Sequence, residues 1–415
     1  MEQNKKIIII GGGPAGMMAA IRAGQLHQQV VLLEKNAGLG RKLLLSGKGR
    51  CNLTNACSLD EFLGHFSKNG QFLRDAFKKF FNQDLMNFFE ERGLPVKVER
   101  QMRVFPVSDR SASILDVLEK ELIKNNVEII FKAKIKSLSA VDNKVKGLYL
   151  ADGQFLPADK IILATGGVSF SLTGSTGDGF EFSRKLGHTV TAFSPGLVPL
   201  KTADKFVKNL EGLTLKNVLI RFCDGKREIV SDVGELLFTF FGISGPLVLA
   251  LSGKVVNWLK ENKKVHVEID LKPGLSEEQL NNRLLREFSS NPRKNIKNVL
   301  KGFLPLRMVD VFLEIAKINP EIRVNQISRQ AREGITNHLK AFRLDIAGSL
   351  PIEEAMVTQG GVFLKEIDPR TMESRKIDGL YFAGEMIDVD ADTGGFNLQA
   401  AFSTGYLAGE SAALS

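Results

Sequence analysis

The chain has 415 residues, 43% hydrophobic and 25% charged, which is long enough for two or three domains and too apolar for a disordered polymer. No apolar run approaches the roughly 20 residues that span a bilayer, and the N-terminus enters an apolar strand without a signal-peptide layout, so a cytoplasmic protein outside the membrane is expected. The net charge of +9 is uneven, +8 in residues 1–194, +8 in 195–340 and −7 in 341–415, a balance that suits a polyanionic partner such as nucleic acid or, equally, a solvated surface.

Ile7–Ile10 is a β-branched run, "GGGPAG" a turn, Ala15–Gly24 a small-residue helix and Val30–Lys35 a buried strand, which together make a βαβ unit. Gly11, Gly13 and Gly16 form G-x-G-x-x-G at the strand-to-helix turn. The first permits the turn, the second lets a pyrophosphate approach the backbone, and the third lets the helix pack on the sheet. The helix N-terminus, with Pro14 and Ala15, then faces the phosphates with free N–H groups. Glu34, at the end of the second strand, is placed to accept hydrogen bonds from an adenosine ribose, and Lys35 follows it.

The next motif is "SGKGRCNLTN", Ser46–Asn55. Gly47 and Gly49 let backbone N–H groups close over a flavin or its pyrophosphate, Lys42 and Arg50 supply charge, and Asn52 and Asn55 can hydrogen-bond a planar ring edge. Ser46 is counted among the cofactor contacts. Residues 127–164 alternate with period two and turn at "DNK" and "ADG", which predicts a small meander, with Ile135 as a further cofactor contact, leading to the buried strand Lys160–Ala164. That strand ends in Ala164, Thr165, Gly166 and Gly167, a second glycine-rich crossing.

From about Pro195 the character changes. Short strands are expected through "VHVEIDLKPG", and helices from Ser276, a good N-cap followed by acids. His188 is read as part of a helix end, and Arg293–Lys301, "RKNIKNVLK", as a solvated helix face more readily than an RNA contact. The chain returns through "VTQGGV" to a strand ending at Gly384 and Glu385, the acid suited to ribityl hydroxyls, with Asp388 beyond. Gly394 and Gly395 then feed a helix N-terminus at Phe396, Asn397 and Leu398. Three separated glycine-rich strand ends suit a cofactor as long as FAD better than NAD. A second GxGxxG for a nicotinamide domain is lacking, so NADH or NADPH is expected only as a transient donor. Cys51, Cys57 and Cys223 include no CxxC pair, so neither a disulfide framework nor a metal site is indicated.

"GGGPAG", "GRKLLLSGKGRCNLTN", "TGSTGDGF", "LFTFFGISGP", "VTQGGV" and "DVDADTGGFNLQAAFSTG" resemble the BaiN/YhiN (RdsA-type) family of FAD-dependent oxidoreductases, also known as aminoacetone oxidase-like, over nearly the whole chain. The resemblance implies an α/β fold: a glutathione-reductase-like, three-layer Rossmann FAD domain from residues 1–194 and 341–415. Residues 195–340 are then an insert, a β-barrel at about 195–273 and a helical part at about 274–340. It also implies reduction of an activated C=C bond, in bile-acid intermediates or in a uridine of 23S ribosomal RNA, or oxidation of aminoacetone. Ribosomal RNA is the favoured substrate and partner. The alternatives are a small-molecule reductase or amine oxidase, and a non-catalytic flavin-containing RNA-binding protein.

Reducing a uracil C5–C6 bond needs a proton as well as a hydride, so an acid must lie within reach of the substrate. Cys51 is the one thiol in the second glycine loop and is the candidate proton donor. Arg50 beside it is expected to lower its pKa. The competing reading makes Cys51 a small residue packing the loop.

Overall fold

The structure is a computed structural model and describes residues 5–415. It divides into two compact units, one from the residues up to Gly196 together with Ile352–Ser415, the other Leu197–Pro351.

The first unit is built on a parallel sheet of β1 (Lys6–Ile10), β2 (Gln29–Glu34), β3 (Glu128–Phe131), β4 (Lys160–Leu163) and β5 (Leu380–Phe382), in the order β5-β4-β1-β2-β3. Ile7, Ile8 and Ile9 are fully buried, as parallel strands covered on both faces require. The register runs Ile8 to Ile161 on one side and to Val31 on the other, so the carboxyl ends of the strands come level. Helix α1 (Pro14–Gln25) packs against α2 (Phe396–Leu414). The two approach so closely that a Cβ at Gly405 would lie 2.2 Å from the Ala15 carbonyl oxygen and one at Gly409 would lie 2.3 Å from that of Ala19. The meander is present as Ile135–Val141, Lys144–Leu150 and Phe155–Pro157.

The second unit is an antiparallel sheet in which Thr214–Cys223 pairs with Gly234–Thr239 and also with Val265–Asp270, so that the sheet closes into a barrel. Two features depart from the sequence reading. The strand Phe342–Ser349 pairs with both Leu200–Thr202 and Val265–Asp270. It therefore belongs to the barrel, and the insert ends at Pro351 instead of 340. Within the stretch read as short strands, Pro246–Lys260 is a helix, opened by Pro246 at its first turn behind Gly245. Helices Glu277–Ser290, Leu306–Ile315 and Arg329–Lys340 follow, and Ser276 caps the first of these by accepting from the Gln279 amide.

No helix among the described residues is long and apolar enough to cross a membrane, and no cluster of metal-ligating side chains occurs among them.

Candidate functional site

The level carboxyl ends of β1, β2, β4 and β5 gather four segments far apart in sequence. Backbone hydrogen bonds stitch them in turn: Gly11 N donates to Leu33 O, Ala164 N to Ile10 O, and Ala383 N to Leu163 O. Parallel α/β sheets bind ligands at this edge, because the loops that leave it diverge.

The three glycines of the first turn meet different demands. A Cβ at Gly16 would lie 1.9 Å from Gly11 O, and one at Gly11 would lie 2.4 Å from Ala164 O, so both are required by packing. Gly13 differs: its φ is −83°, open to any L-residue, and a Cβ there would meet nothing within 4 Å. The protein's own fold does not require glycine at 13. Open space beside a helix N-terminus with Pro14 at its first position is what a pyrophosphate cradle needs. Glu34 accepts at 2.8 Å from the Gly12 amide and at 2.7 Å from that of Asn36, which fixes its carboxylate beside this turn.

The second glycine loop lies against the C-terminal one. Gly47, Lys48, Gly49 and Cys51 all have positive φ, between 57° and 85°, a conformation glycine adopts at least cost. A Cβ at Gly395 would fall 2.4 Å from Thr54 backbone atoms, and the Asn55 side chain donates to Gly394 O at 3.3 Å. With its amide turned to suit its neighbours, Asn52 donates to Thr54 O and accepts from Gly395 N. Asn397 closes the preceding turn by accepting from Ala391 N and donating to Ala391 O. Phe396 is buried and Leu398 half-buried at the start of α2.

A polar cluster joins these pieces. Lys42 Nζ lies 2.8 Å from Glu385 Oε2 and 2.8 Å from Ser169 Oγ, while Glu385 Oε1 accepts from the Thr358 amide at 2.7 Å and from Ser169 Oγ at 3.2 Å. Burial opposes ionisation of Glu385, but the Lys42 charge and these hydrogen bonds outweigh it and hold the carboxyl below its ordinary range. Gly167 is glycine because a Cβ would meet Thr358 Oγ1 at 2.2 Å. Thr165 hydrogen-bonds Met386 Sδ, and Gly166 has φ +76° beside Ser175.

The "DVDAD" segment runs alongside residues 65–68. Asp388 is buried with one carboxylate oxygen unpartnered and the other 3.7 Å from Lys68 Nζ. Asp390 accepts from Ser67 Oγ at 2.6 Å and from Gln359 Nε2 at 2.9 Å, and burial pushes its pKa up. Asp392 lies 3.2 Å from His65 Nδ1, and the His65 ring stacks on Phe396 with centroids 4.1 Å apart. The result is an oriented imidazole whose side chain is 38% exposed.

Several expected site residues lie differently. Arg50 is bound by Glu99 and Asp109, each at 2.5 Å, and covers the Phe105 ring, so its charge is neutralised on the surface. It does not lower the Cys51 pKa. Burial pushes that thiol up to about 12, against a smaller opposing effect of the Ser46 hydrogen bond. The Cys51 side chain is 0% exposed. This burial favours the competing reading, in which Cys51 is a small residue packing the loop. Ser46 ends a short helix by donating to Leu43 O. Lys35 turns to Asp178 and Thr176, and Ile135 opens the meander opposite Leu150. His188 is buried at a helix end, with Nε2 2.8 Å from Ser374 Oγ.

Sequence reasoning missed Ser169, Thr358 and the His65–Asp392 pair. The signal for Thr358 was present in "VTQGGV". For His65 there was none, because Asp392 lies 327 residues away.

A family model described as HI0933-like protein Rossmann domain matches residues 5–411. Among curated proteins, the chain is 34% identical over 411 residues to the 3-dehydro-bile acid delta(4,6)-reductase of Clostridium scindens, covering 98% of this chain and 99% of that one. It is 31% identical over 412 residues to the ribosomal RNA dihydrouridine synthase of Haemophilus influenzae, covering 98% of each, and 31% identical to the Escherichia coli protein of that name, covering 96% of each. Among solved structures, the 3-ketosteroid delta1-dehydrogenase of Sterolibacterium denitrificans superposes with a TM-score of 0.53 at 13% identity, over 99% of both chains, a likeness of fold.

Proposed function

The chain belongs to the HI0933-like Rossmann-domain family and is an oxidoreductase, and from that premise we propose that it holds FAD along the carboxyl edge of its parallel sheet and reduces an activated C=C bond at the expense of NADH or NADPH. The observation that carries this reading is the open space beside Gly13, which the fold leaves unfilled although its backbone would accept a side chain. In this reading Gly11, Gly13, Pro14, Ala15, Gly16 and Glu34 take the adenosine diphosphate half. The ribityl and ring end falls to Lys42, Ala164–Gly167, Gly384, Glu385 and the Gly394–Leu398 turn. The buried, unpartnered oxygen of Asp388 fits a polar ligand group at the same end.

FAD, held at its ring end by Lys42, Glu385 and the Gly394–Leu398 turn, would supply the hydride chemistry such a reduction needs. The chain itself must supply a proton to a carbon of the double bond and exclude water while it does so. We assign the proton to His65: its Nδ1 is directed at Asp392, which leaves Nε2 for substrate, and its ring lies on the first residue of α2.

The favoured substrate is a uridine of 23S ribosomal RNA, whose C5–C6 bond is saturated in dihydrouridine. Support comes from the two relatives named ribosomal RNA dihydrouridine synthase and from the excess of eight positive charges in residues 195–340. The relative named as a bile-acid reductase keeps a small-molecule substrate as the second reading. The names of the full-length relatives are those of catalysts, which leaves the non-catalytic reading without support.

The test is dihydrouridine analysis of ribosomal RNA from a strain lacking the gene. Loss of the modification, restored by the wild-type chain but not by Gly13→Val, is the expected result. Unchanged dihydrouridine in the deletion strain returns the reading to a small molecule. Histidine at 65 is tested separately: His65→Gln should cut turnover by about 10²–10⁴ with flavin content unchanged.

A further inference from the structure

The second unit contains a groove of about 410 Å³ between the barrel strand Thr214–Cys223 and the turn Lys301–Pro305, which joins two helices. That volume lies in the range of small-molecule sites. Its lining divides by chemistry. Leu215, Val218, Leu271, Phe303 and Leu304 are buried beneath it, and Lys216, Lys272 and Lys301 are the only charged residues lining it.

Burial alternates along the strand over Thr214, Leu215 and Lys216, and the register shift between Leu215 and Val218, with Asn217 at φ +55°, then leaves Lys216 and Asn217 both exposed. Such a bulge re-aims side chains locally.

The three lysines lack acidic partners. Among the described residues none of them forms an ion pair, although Lys340, beside Lys272, is paired with Asp270 at 2.6 Å. Lys301 reaches only the amide oxygen of Asn298. Lys272 is half-buried, and both burial and the nearby Arg283 charge disfavour its ammonium form. Arg283 itself lies over the Phe303 ring, 4.8 Å from its centroid. Three cations lining one groove without an acidic partner suit an anionic ligand.

We propose that this groove is a binding site for the phosphate group of a nucleotide, held among Lys216, Lys272 and Lys301. One ligand chemistry has two sources here, a free mononucleotide or one nucleotide unit of an RNA chain. The inference does not rest on the flavin reading, because every residue in it belongs to the second unit.

The experiment titrates the flavin-loaded, full-length protein with two probes, adenosine 2′,5′-bisphosphate and a fluorescent single-stranded oligouridylate. At least one should bind, with an affinity that falls as salt rises. The double variant Lys216→Glu, Lys301→Glu should weaken that binding by tenfold or more while flavin content and melting temperature stay as in the wild type. For the RNA probe the slope of log affinity against log salt should also become shallower, by about 0.7 for each phosphate that the variant no longer neutralises. Lys272→Met provides the half-buried arm and should weaken the same probe. Binding of the bisphosphate alone assigns the groove to a free nucleotide, and binding of the oligouridylate assigns it to an RNA chain. No binding of either probe, or binding that the double variant leaves unchanged, overturns the proposal.

Discussion

The two glycine-rich loops of the first unit look alike in sequence and are built on different principles. In the turn Gly11–Gly16 each glycine answers to a neighbour that the βαβ unit and its sheet partner bring close, or to the open space they leave at Gly13, so local rules of strand, turn and helix account for it. In the loop Ser46–Asn55, Gly47 and Gly49 serve backbone conformation, whereas Arg50 and Cys51 are decided by distant partners. Glu99 and Asp109 neutralise the arginine, and surrounding side chains enclose the thiol. A motif whose residues act through backbone geometry is legible in sequence. One whose residues act through charge or reactivity is not, because those depend on what the fold places beside them.

The comparison breaks most visibly at Gly16. Gly16→Val puts a Cβ 1.9 Å from a backbone oxygen that cannot retreat without parting β1 from α1. A loss of about 4 kcal/mol or more is expected, seen as insoluble protein or a collapsed melting temperature. Gly13→Val, three residues away, should instead melt near the wild type once both are flavin-free, yet retain less than about a tenth of the FAD, measured by reverse-phase analysis of the released cofactor. If the two variants behave alike, the distinction between packing glycine and cradle glycine fails.

Glu385→Gln tests the cluster that joins the loops. Removing one partner of a fully buried ion pair costs about 3–5 kcal/mol, and because Lys42 and Glu385 keep some solvent exposure we expect about 2 kcal/mol by denaturant unfolding. The sign of the pH dependence follows from the depressed carboxyl. The wild type holds the full contribution above the ordinary value of 4.5 and loses it as pH falls through the lower folded value. The variant should lack that acid limb.

Smaller effects belong to the second loop. Cys51→Ala should cost about 1 kcal/mol from poorer packing and leave turnover within a few-fold, and the wild-type thiol should resist a thiol reagent at about pH 8 until the protein unfolds. A fall of a hundredfold at normal flavin content would restore Cys51 as the proton donor. Arg50→Met should change least, with flavin content unaltered and a melting temperature within about two degrees, since exposed ion pairs contribute little.

Sequence alone carried the parallel sheet, the GxGxxG turn, the distal Glu34 and the glycine-rich ends at Ala164–Gly167 and Gly394–Gly395, because strand runs, positive-φ glycines and helix starts are local properties of a chain. It misplaced the end of the insert. The strand Phe342–Ser349 follows four helices and yet pairs with Val265–Asp270, and hydrogen-bond partners across such a gap leave no periodic mark in sequence. The tertiary structure alone decided which polar groups meet. It placed Lys42 on Glu385, 343 residues apart, gave Arg50 its two acids, closed Cys51 away from solvent and brought Asp392 to His65. Charge and acidity are set by surroundings within a few ångströms, and in a folded chain those surroundings come from anywhere along its length.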